Sequence, residues 1–272
     1  MSSTPTTSEG WALITGASAG IGEAIARELA RRRWNLVLSA RRRERLEALA
    51  RELAAAHGIE AMPLVADLAE PAAAAVIEAT LSAHGIAVDL LVNNAGYGLP
   101  GFYHKTAWSD QARFLQVMLT APCELTHRLL PAMRARKRGY ILNVASLAGL
   151  IPGSAGNTLY GAVKAFLVSF SQSLALENRD LGIKVSALCP GFTYSEFHDV
   201  SQARHLVQQL PKWMWMSAEE VARRGLDALF AGKVVYVPGA VNRIMRFLAK
   251  HLPDRAALAL VGRQSRRFRR RD

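Results

Sequence analysis

Tyr160 and Lys164 stand four residues apart in Tyr160-Gly161-Ala162-Val163-Lys164, a spacing that sets both side chains on one face of a helix. A lysine ammonium beside a phenol favours the phenolate and lowers its pKa from about 10. Such a tyrosine can hand a proton to a ketone oxygen as hydride reaches the carbonyl carbon, or take one in the reverse direction. Fourteen residues earlier, Ser146 closes the run Asn143-Val144-Ala145-Ser146. A hydroxyl at a strand end can donate to a developing oxyanion. Taken singly, a Tyr-x3-Lys pair is usually only a helix surface pair. It gains weight from the serine and from a glycine turn in the same chain.

That turn is Thr15-Gly16-Ala17-Ser18-Ala19-Gly20-Ile21-Gly22, between an apolar run and a helical pattern. Gly16, Gly20 and Gly22 let the backbone turn tightly and approach a pyrophosphate, while the N–H groups of Ser18 and Ile21 lie near the start of a helix whose dipole favours anions. The bland reading is a strand–helix turn without a ligand. The next run ends Leu38-Ser39-Ala40-Arg41, where an NAD-reading fold carries an acid for the ribose hydroxyls. Here Arg41, Arg42 and Arg43 precede the first acid, Glu44. An arginine can grip a 2′-phosphate bidentately, so NADPH is favoured over NADH; alternatively the three arginines solvate the next helix. Asp67, followed by Leu68, can accept from an adenine amino group or cap the following helix. Asn94, Ala95 and Gly96 end another run and can line the crevice under a cofactor.

The elements that must position these residues follow from the hydropathy pattern. Runs at Trp11–Thr15, Asn35–Ser39, Ala61–Ala66, Leu90–Asn93, Tyr140–Ala145, Lys184–Cys189 and Lys233–Val237 show little polar alternation, as strands buried on both faces do. Helical patterns such as Ala24–Arg33 and Glu44–His57 lie between them. The series predicts βαβ units in an α/β, doubly wound parallel sheet. One domain is expected over 1–240. A basic extension over 241–272 carries short helices at Asn242–His251 and Arg255–Val261 and an arginine-rich, mobile end.

Composition narrows the class. The 272 residues are 50% apolar and carry a net charge of +12, which excludes a disordered chain. No run of about 18 uncharged apolar residues is present to span a bilayer. Cys123 and Cys189 are too few for a disulfide scaffold, and the seven histidines show no metal-ligand spacing, so no metal is expected. The opening MSSTPTTSEG lacks the features of a secretory signal, and a cytoplasmic location is expected. From Asn242 to Asp272 there are ten basic and two acidic residues, against 24 and 20 in the rest. The body is nearly balanced, which argues against specific nucleic-acid binding.

The chain resembles the short-chain dehydrogenase/reductase family, in its NADP-preferring branch. The resemblance rests on Thr15–Gly22, Asn93–Gly96, Ser146, Tyr160–Lys164 and Pro190-Gly191-Phe192-Thr193, in the family's order, and covers roughly 11–240. It implies a three-layer Rossmann sheet of about seven strands and hydride transfer between NADP(H) and a carbonyl or alcohol carbon. It implies that Tyr160 is the acid/base, that Lys164 binds the nicotinamide ribose, that Ser146 orients the substrate, and that Pro190, Gly191 and Thr193 hold the nicotinamide end. It also implies a homodimer or homotetramer paired through roughly Ser109–Arg134 and Tyr160–Asn178. Two departures stand out. Met118 occupies the place of an asparagine that helps fix a relay water, and the segment between Ser146 and Tyr160 is one residue longer than usual. A sensor or scaffold that binds NADPH with little turnover is therefore an alternative.

A lid is expected at about 194–216, containing Tyr194, Phe197, Leu206, Leu210, Trp213, Met214, Trp215 and Met216. With Tyr97, Phe102 and Leu150 it suggests a small apolar carbonyl or alcohol as substrate; Trp213 and Trp215 packing the lid on the body is an equal reading. The cationic amphipathic pattern around Phe247-Leu248 allows a weak peripheral contact with anionic lipid. The reading favoured from sequence is that these helices cover the cleft and the arginines are solvated.

Overall fold

Seven of the apolar runs become parallel neighbours in one sheet. The structure, a computed structural model, describes residues 9–194 and 211–267. Strands β1 (Trp11–Thr15), β2 (Asn35–Ala40), β3 (Ala61–Val65), β4 (Val88–Asn93), β5 (Gly139–Val144), β6 (Ile183–Leu188) and β9 (Val235–Tyr236) lie in the order β3-β2-β1-β4-β5-β6-β9. All six pairings are parallel. Two short strands, β7 (Phe192–Tyr194) and β8 (Trp215–Ser217), pair separately.

The strands are apolar at successive positions because both faces are covered. Along β1, Ala12 and Ile14 pack to one side and Leu13 to the other; along β2, Leu36 and Leu38 oppose Val37. Helices α1 (Gly20–Arg31), α2 (Arg43–His57) and α7 (Ala218–Phe230) cover the first face with Ile25, Leu29, Leu46 and Leu226. Helices α3 (Ala73–Ala83), α4 (Trp108–Leu115), α5 (Ala121–Arg136) and α6 (Thr158–Glu177) cover the second with Ile77, Phe114, Leu125 and Val163. The result is the expected three-layer α/β sandwich.

Boundaries shift modestly from the sequence expectation. The last sheet strand shrinks to Val235–Tyr236, because only Ala187 and Leu188 pair with it. Asp67 does not cap α3, whose N-cap is Ala72; its carboxylate instead accepts from the Ala69 N–H at 3.0 Å. Between α4 and α5 the helix widens into one π turn, Gln116–Thr120, the kind of local irregularity that re-aims side chains within a long helix. Helix α8 (Ala240–His251) and helix α9 (Asp254–Arg267) flank Pro253, and α9 runs beyond the expected Val261. Residues 268–272 lie outside the described residues.

By length and composition α6 is the one helix among the described residues apolar enough to cross a membrane. It nevertheless packs on β5 and β6 through Val163, Leu167, Val168 and Leu174, and its Lys164 is buried.

A polar cluster ties this helix to the middle of the sheet. Asn93 Nδ2 donates to Asn143 Oδ1 at 2.8 Å and to Thr126 Oγ1 at 3.2 Å. Asn143 Nδ2 donates to Ser171 Oγ at 2.8 Å, and that hydroxyl donates to the Leu167 carbonyl at 2.7 Å. All four side chains are buried. Stranding one such group would cost about 1–3 kcal/mol, so β4, α5, β5 and α6 are held in one fixed register.

Candidate active site

The strand order reverses between β1 and β4: the helix after β1 lies on one face and those after β4 on the other. Their carboxyl ends therefore splay apart and open a crevice. The glycine turn forms one wall. Gly16 (φ +67°) and Gly20 (φ +58°) occupy the left-handed region, which favours glycine. A Cβ on Gly16 would lie 2.8 Å from Ala95 Cα, and one on Gly22 would overlap the Gly16 carbonyl oxygen. Asn94 Nδ2 donates to the Thr15 carbonyl at 2.9 Å and the Gly16 carbonyl at 3.3 Å. Thr15 Oγ1 accepts from the Asn94 and Ala95 N–H groups at 3.0 and 3.1 Å. Asn94 and Ala95 thus brace the turn from behind. The N-cap of α1 is Ala19, with no side-chain cap, so the first N–H groups of that helix suit a phosphate.

Sequence reasoning chose Arg41 at the end of β2. The structure leaves Arg41 exposed and brings Arg42 onto the turn. Its Nε and Nη2 donate to Ser18 Oγ at 3.2 and 3.0 Å, and Nη2 donates to the Ser18 carbonyl at 3.3 Å. Three consecutive arginines look alike in sequence; only the path into α2 separates them. Beyond β2, after the edge strand β3, Leu68 is buried, and Asp67 Oδ2 pairs with Arg113 at 2.8 Å, a partner the sequence did not reveal. A glycine-lined turn, an uncapped helix start and an arginine beside Ser18 fit a dinucleotide phosphate.

Opposite stand Ser146, Tyr160 and Lys164. Ser146 follows β5 directly and caps the short turn Leu147–Gly149, accepting from the Ala148 N–H at 3.1 Å. Its hydroxyl lies near the Tyr160 phenol and favours the ionised form of that group. Lys164 Nζ donates to the Val144 carbonyl at 2.7 Å and lies 5.6 Å from the centroid of the Tyr160 ring. The expected lowering of the phenol pKa by lysine is not what this arrangement gives. Burial pushes Tyr160 up, opposed by the nearby Ser146 hydroxyl. The lysine shifts as well: desolvation brings its ammonium from 10.5 down to about 8.

Residues 10–205 match the short chain dehydrogenase family. The chain belongs to it. A very-long-chain 3-oxoacyl-CoA reductase from Anas platyrhynchos is 34% identical over 197 residues, 71% of this chain and 62% of that protein. The chain thus spans about three-fifths of that reductase's length. A short-chain dehydrogenase from Sphingobium yanoikuyae, solved with NADPH, superposes with a TM-score of 0.79 at 32% identity, covering 90% of this chain and 96% of that one. A bulky-bulky ketone specific alcohol dehydrogenase from Comamonas testosteroni superposes with a TM-score of 0.75 at 29% identity, covering 91% and 96%.

In this short-chain dehydrogenase Met118 is buried in the π turn. A Cβ on Gly96 would lie 2.5 Å from its sulfur, so the thioether fills the space under Gly96. Tyr97 is half-buried, with its ring edge-on to Phe114 at 5.5 Å. The Pro190 carbonyl accepts from the Leu147 N–H at 2.9 Å, and Thr193 Oγ1 donates to the Gly191 carbonyl at 3.2 Å. These contacts join the Pro190–Thr193 loop to the Ser146 turn. Sequence reasoning missed Asn242, which is buried against Gly191 and donates to the Pro238 carbonyl at 2.8 Å. Leu150 packs on the buried cluster that includes Leu147. Tyr194 stacks on Trp215 at 4.8 Å between ring centroids; Trp213 is exposed. The expected lid residues Phe197, Leu206 and Leu210 fall outside the described residues.

The buried lysine makes the dehydrogenase's stability depend on pH. Its folded pKa lies below its ordinary value, so between about 8 and 10.5 the unfolded chain binds more protons and stability rises with pH. Lys164→Met should remove that part of the rise, seen as a shallower dependence of unfolding free energy on pH over this window. Equal slopes in both proteins would reject the depressed lysine.

Proposed function

We propose that the protein is an NADPH-dependent carbonyl reductase or alcohol dehydrogenase acting on an apolar ketone or aldehyde. The observation that carries the reading is the grouping of Ser146, Tyr160 and the buried Lys164, whose Nζ lies 5.6 Å from the Tyr160 ring centroid, across the crevice from the glycine turn. NADP(H) supplies the hydride, or accepts it in the reverse reaction. Gly16, Ser18, Gly20, Ile21 and Gly22 hold the pyrophosphate, and Arg41 with Arg42 the 2′-phosphate. Asp67 and Leu68 border the adenine, and Asn94, Ala95, Gly96, Pro190, Gly191 and Thr193 surround the nicotinamide half.

Ser146 orients the carbonyl oxygen by hydrogen bonding and Tyr160 delivers the proton to it. Lys164 holds the nicotinamide ribose, and the Ser146 hydroxyl favours the tyrosinate left after transfer. Tyr97, Leu150, Tyr194 and Trp213 form an apolar surround for the substrate. The reductases and dehydrogenases among the relatives support catalysis over a sensor role. The protein works as a homodimer or homotetramer through α5 and α6, a reading supported by exposed Phe166 and Leu176 on α6. A cytoplasmic place accords with two free thiols, Cys123 and Cys189.

The test is NADPH oxidation, followed by the loss of reduced-nicotinamide absorbance, against a panel of ketones and aldehydes of increasing apolar bulk. Turnover is expected with bulky apolar members; tight NADPH binding with no turnover across the panel counts against the reading. Arg41→Ala and Arg42→Ala should each weaken NADPH by roughly tenfold, the scale of one charge-assisted hydrogen bond, and leave NADH nearly unchanged. Equal losses for both nucleotides would place the arginines away from the 2′-phosphate.

A further inference from the structure

Helix α8 presents its apolar residues the wrong way round for a helix that only packs on a protein body. Ile244, Phe247 and Leu248 are 59%, 60% and 47% exposed. At 100° per residue they share one outward arc with His251, and Arg243 and Lys250 border it. The opposite arc faces inward: Asn242 is buried against Gly191, and Met245 packs on the apolar cluster that includes Ala145, Leu147 and Cys189. An ordinary surface helix turns its apolar stripe inward and its charges outward. On the neighbouring α9, Leu258 is 55% exposed and Arg255 is exposed, with Asp254 the acidic residue nearby.

We infer that the outward face of α8 lies on an anionic lipid bilayer, with Ile244, Phe247 and Leu248 in the headgroup–acyl boundary and Arg243 and Lys250 against lipid phosphates. Charge decides between occupants. The exposed charged residues of α8 and the start of α9 are Arg243, Lys250 and Arg255 against Asp254. A second copy on this face would set two cationic surfaces together, which is repulsive. A nucleic acid would meet the charge but gain nothing from an isoleucine, a phenylalanine and a leucine at the centre of the patch. An anionic membrane satisfies both the apolar centre and the cationic border.

The placement has a bearing on the site. Through Asn242 and Met245 the inner side of α8 touches the loops that carry Pro190–Thr193 and flank Ser146. The bilayer would therefore lie about one helix diameter, roughly 10 Å, from the crevice wall. The lipid contact itself does not rest on the proposed reaction, and it is read without turnover.

The experiment is co-sedimentation of the full chain with vesicles of phosphatidylcholine, with and without phosphatidylglycerol. Pelleting is expected with the anionic vesicles and not with the neutral ones, and it should weaken as salt rises. Ile244→Ser with Phe247→Ser should lower partitioning by at least roughly tenfold, since two large side chains leave the interface. Arg243→Ser with Lys250→Ser should lower it to a similar degree and flatten the salt dependence. Both pairs are exposed, so NADPH binding should remain unchanged as the sign of an intact fold. Pelleting that survives the apolar double substitution would overturn the inference. So would an absence of pelleting, or an oligomer that dissociates on that substitution with no vesicle binding at any salt.

Discussion

Tyr160→Phe is expected to lower kcat by about two to four orders of magnitude, the usual contribution of a positioned general acid. NADPH affinity should stay within about twofold, because the substitution removes one oxygen and leaves the ring in place. The geometry explains the asymmetry. The phenol lies near the Ser146 hydroxyl, and Lys164 is tied to the Val144 carbonyl at 2.7 Å. Neither the glycine turn nor Arg42 is touched. Steady-state rates and a nicotinamide fluorescence titration separate the two quantities. A variant that keeps wild-type kcat would remove Tyr160 from the proton path and leave Ser146 as the nearest hydroxyl to consider.

Gly22→Ala should be the most damaging change to nucleotide binding. The added methyl would overlap both the Gly16 carbonyl oxygen and Asn94 Nδ2, and neither can retreat. The carbonyl belongs to a turn already in a left-handed conformation, and the amide is fixed by its bond to the Thr15 carbonyl. Overpacking of this kind costs about 1–3 kcal/mol. If the strain falls on the turn, NADPH affinity drops roughly ten- to hundredfold. Gly153→Ala is the matched control, since nothing lies within 4 Å of a Cβ there. Titration of both variants with NADPH gives the comparison, and equal affinities would mean that the turn is softer than its contacts imply.

The chain displays its sheet openly, because parallel strands covered on both faces read as unbroken apolar runs. Turn, serine, tyrosine and lysine were also legible, each being a residue type at a spacing within a short stretch. What escaped were side chains defined by partners far along the chain. Arg42 matters through Ser18, 24 residues away, and Arg113 through Asp67, 46 residues away. Asn143 reads as a polar interruption of a strand until Asn93 and Ser171 are seen on either side of it. Asn242 lies in a stretch whose charge draws attention to its surface, while its role is to pack under Gly191. The phenol expectation failed for a related reason. Spacing placed Lys164 beside Tyr160, but the burial that raises the phenol and lowers the ammonium is a property of the folded interior.

The cluster of Asn93, Thr126, Asn143 and Ser171 has a consequence for how the molecule breathes. Its bonds cross-link β4, β5, α5 and α6, so none of these can open while the others stay closed. Amide hydrogens there should exchange with solvent only through the largest cooperative opening. The Ser146 turn and α6, with Tyr160 and Lys164, are anchored to that slow-exchanging unit through Val144 and Ser171. The proposed chemistry is thus mounted on the part of the protein that fluctuates least.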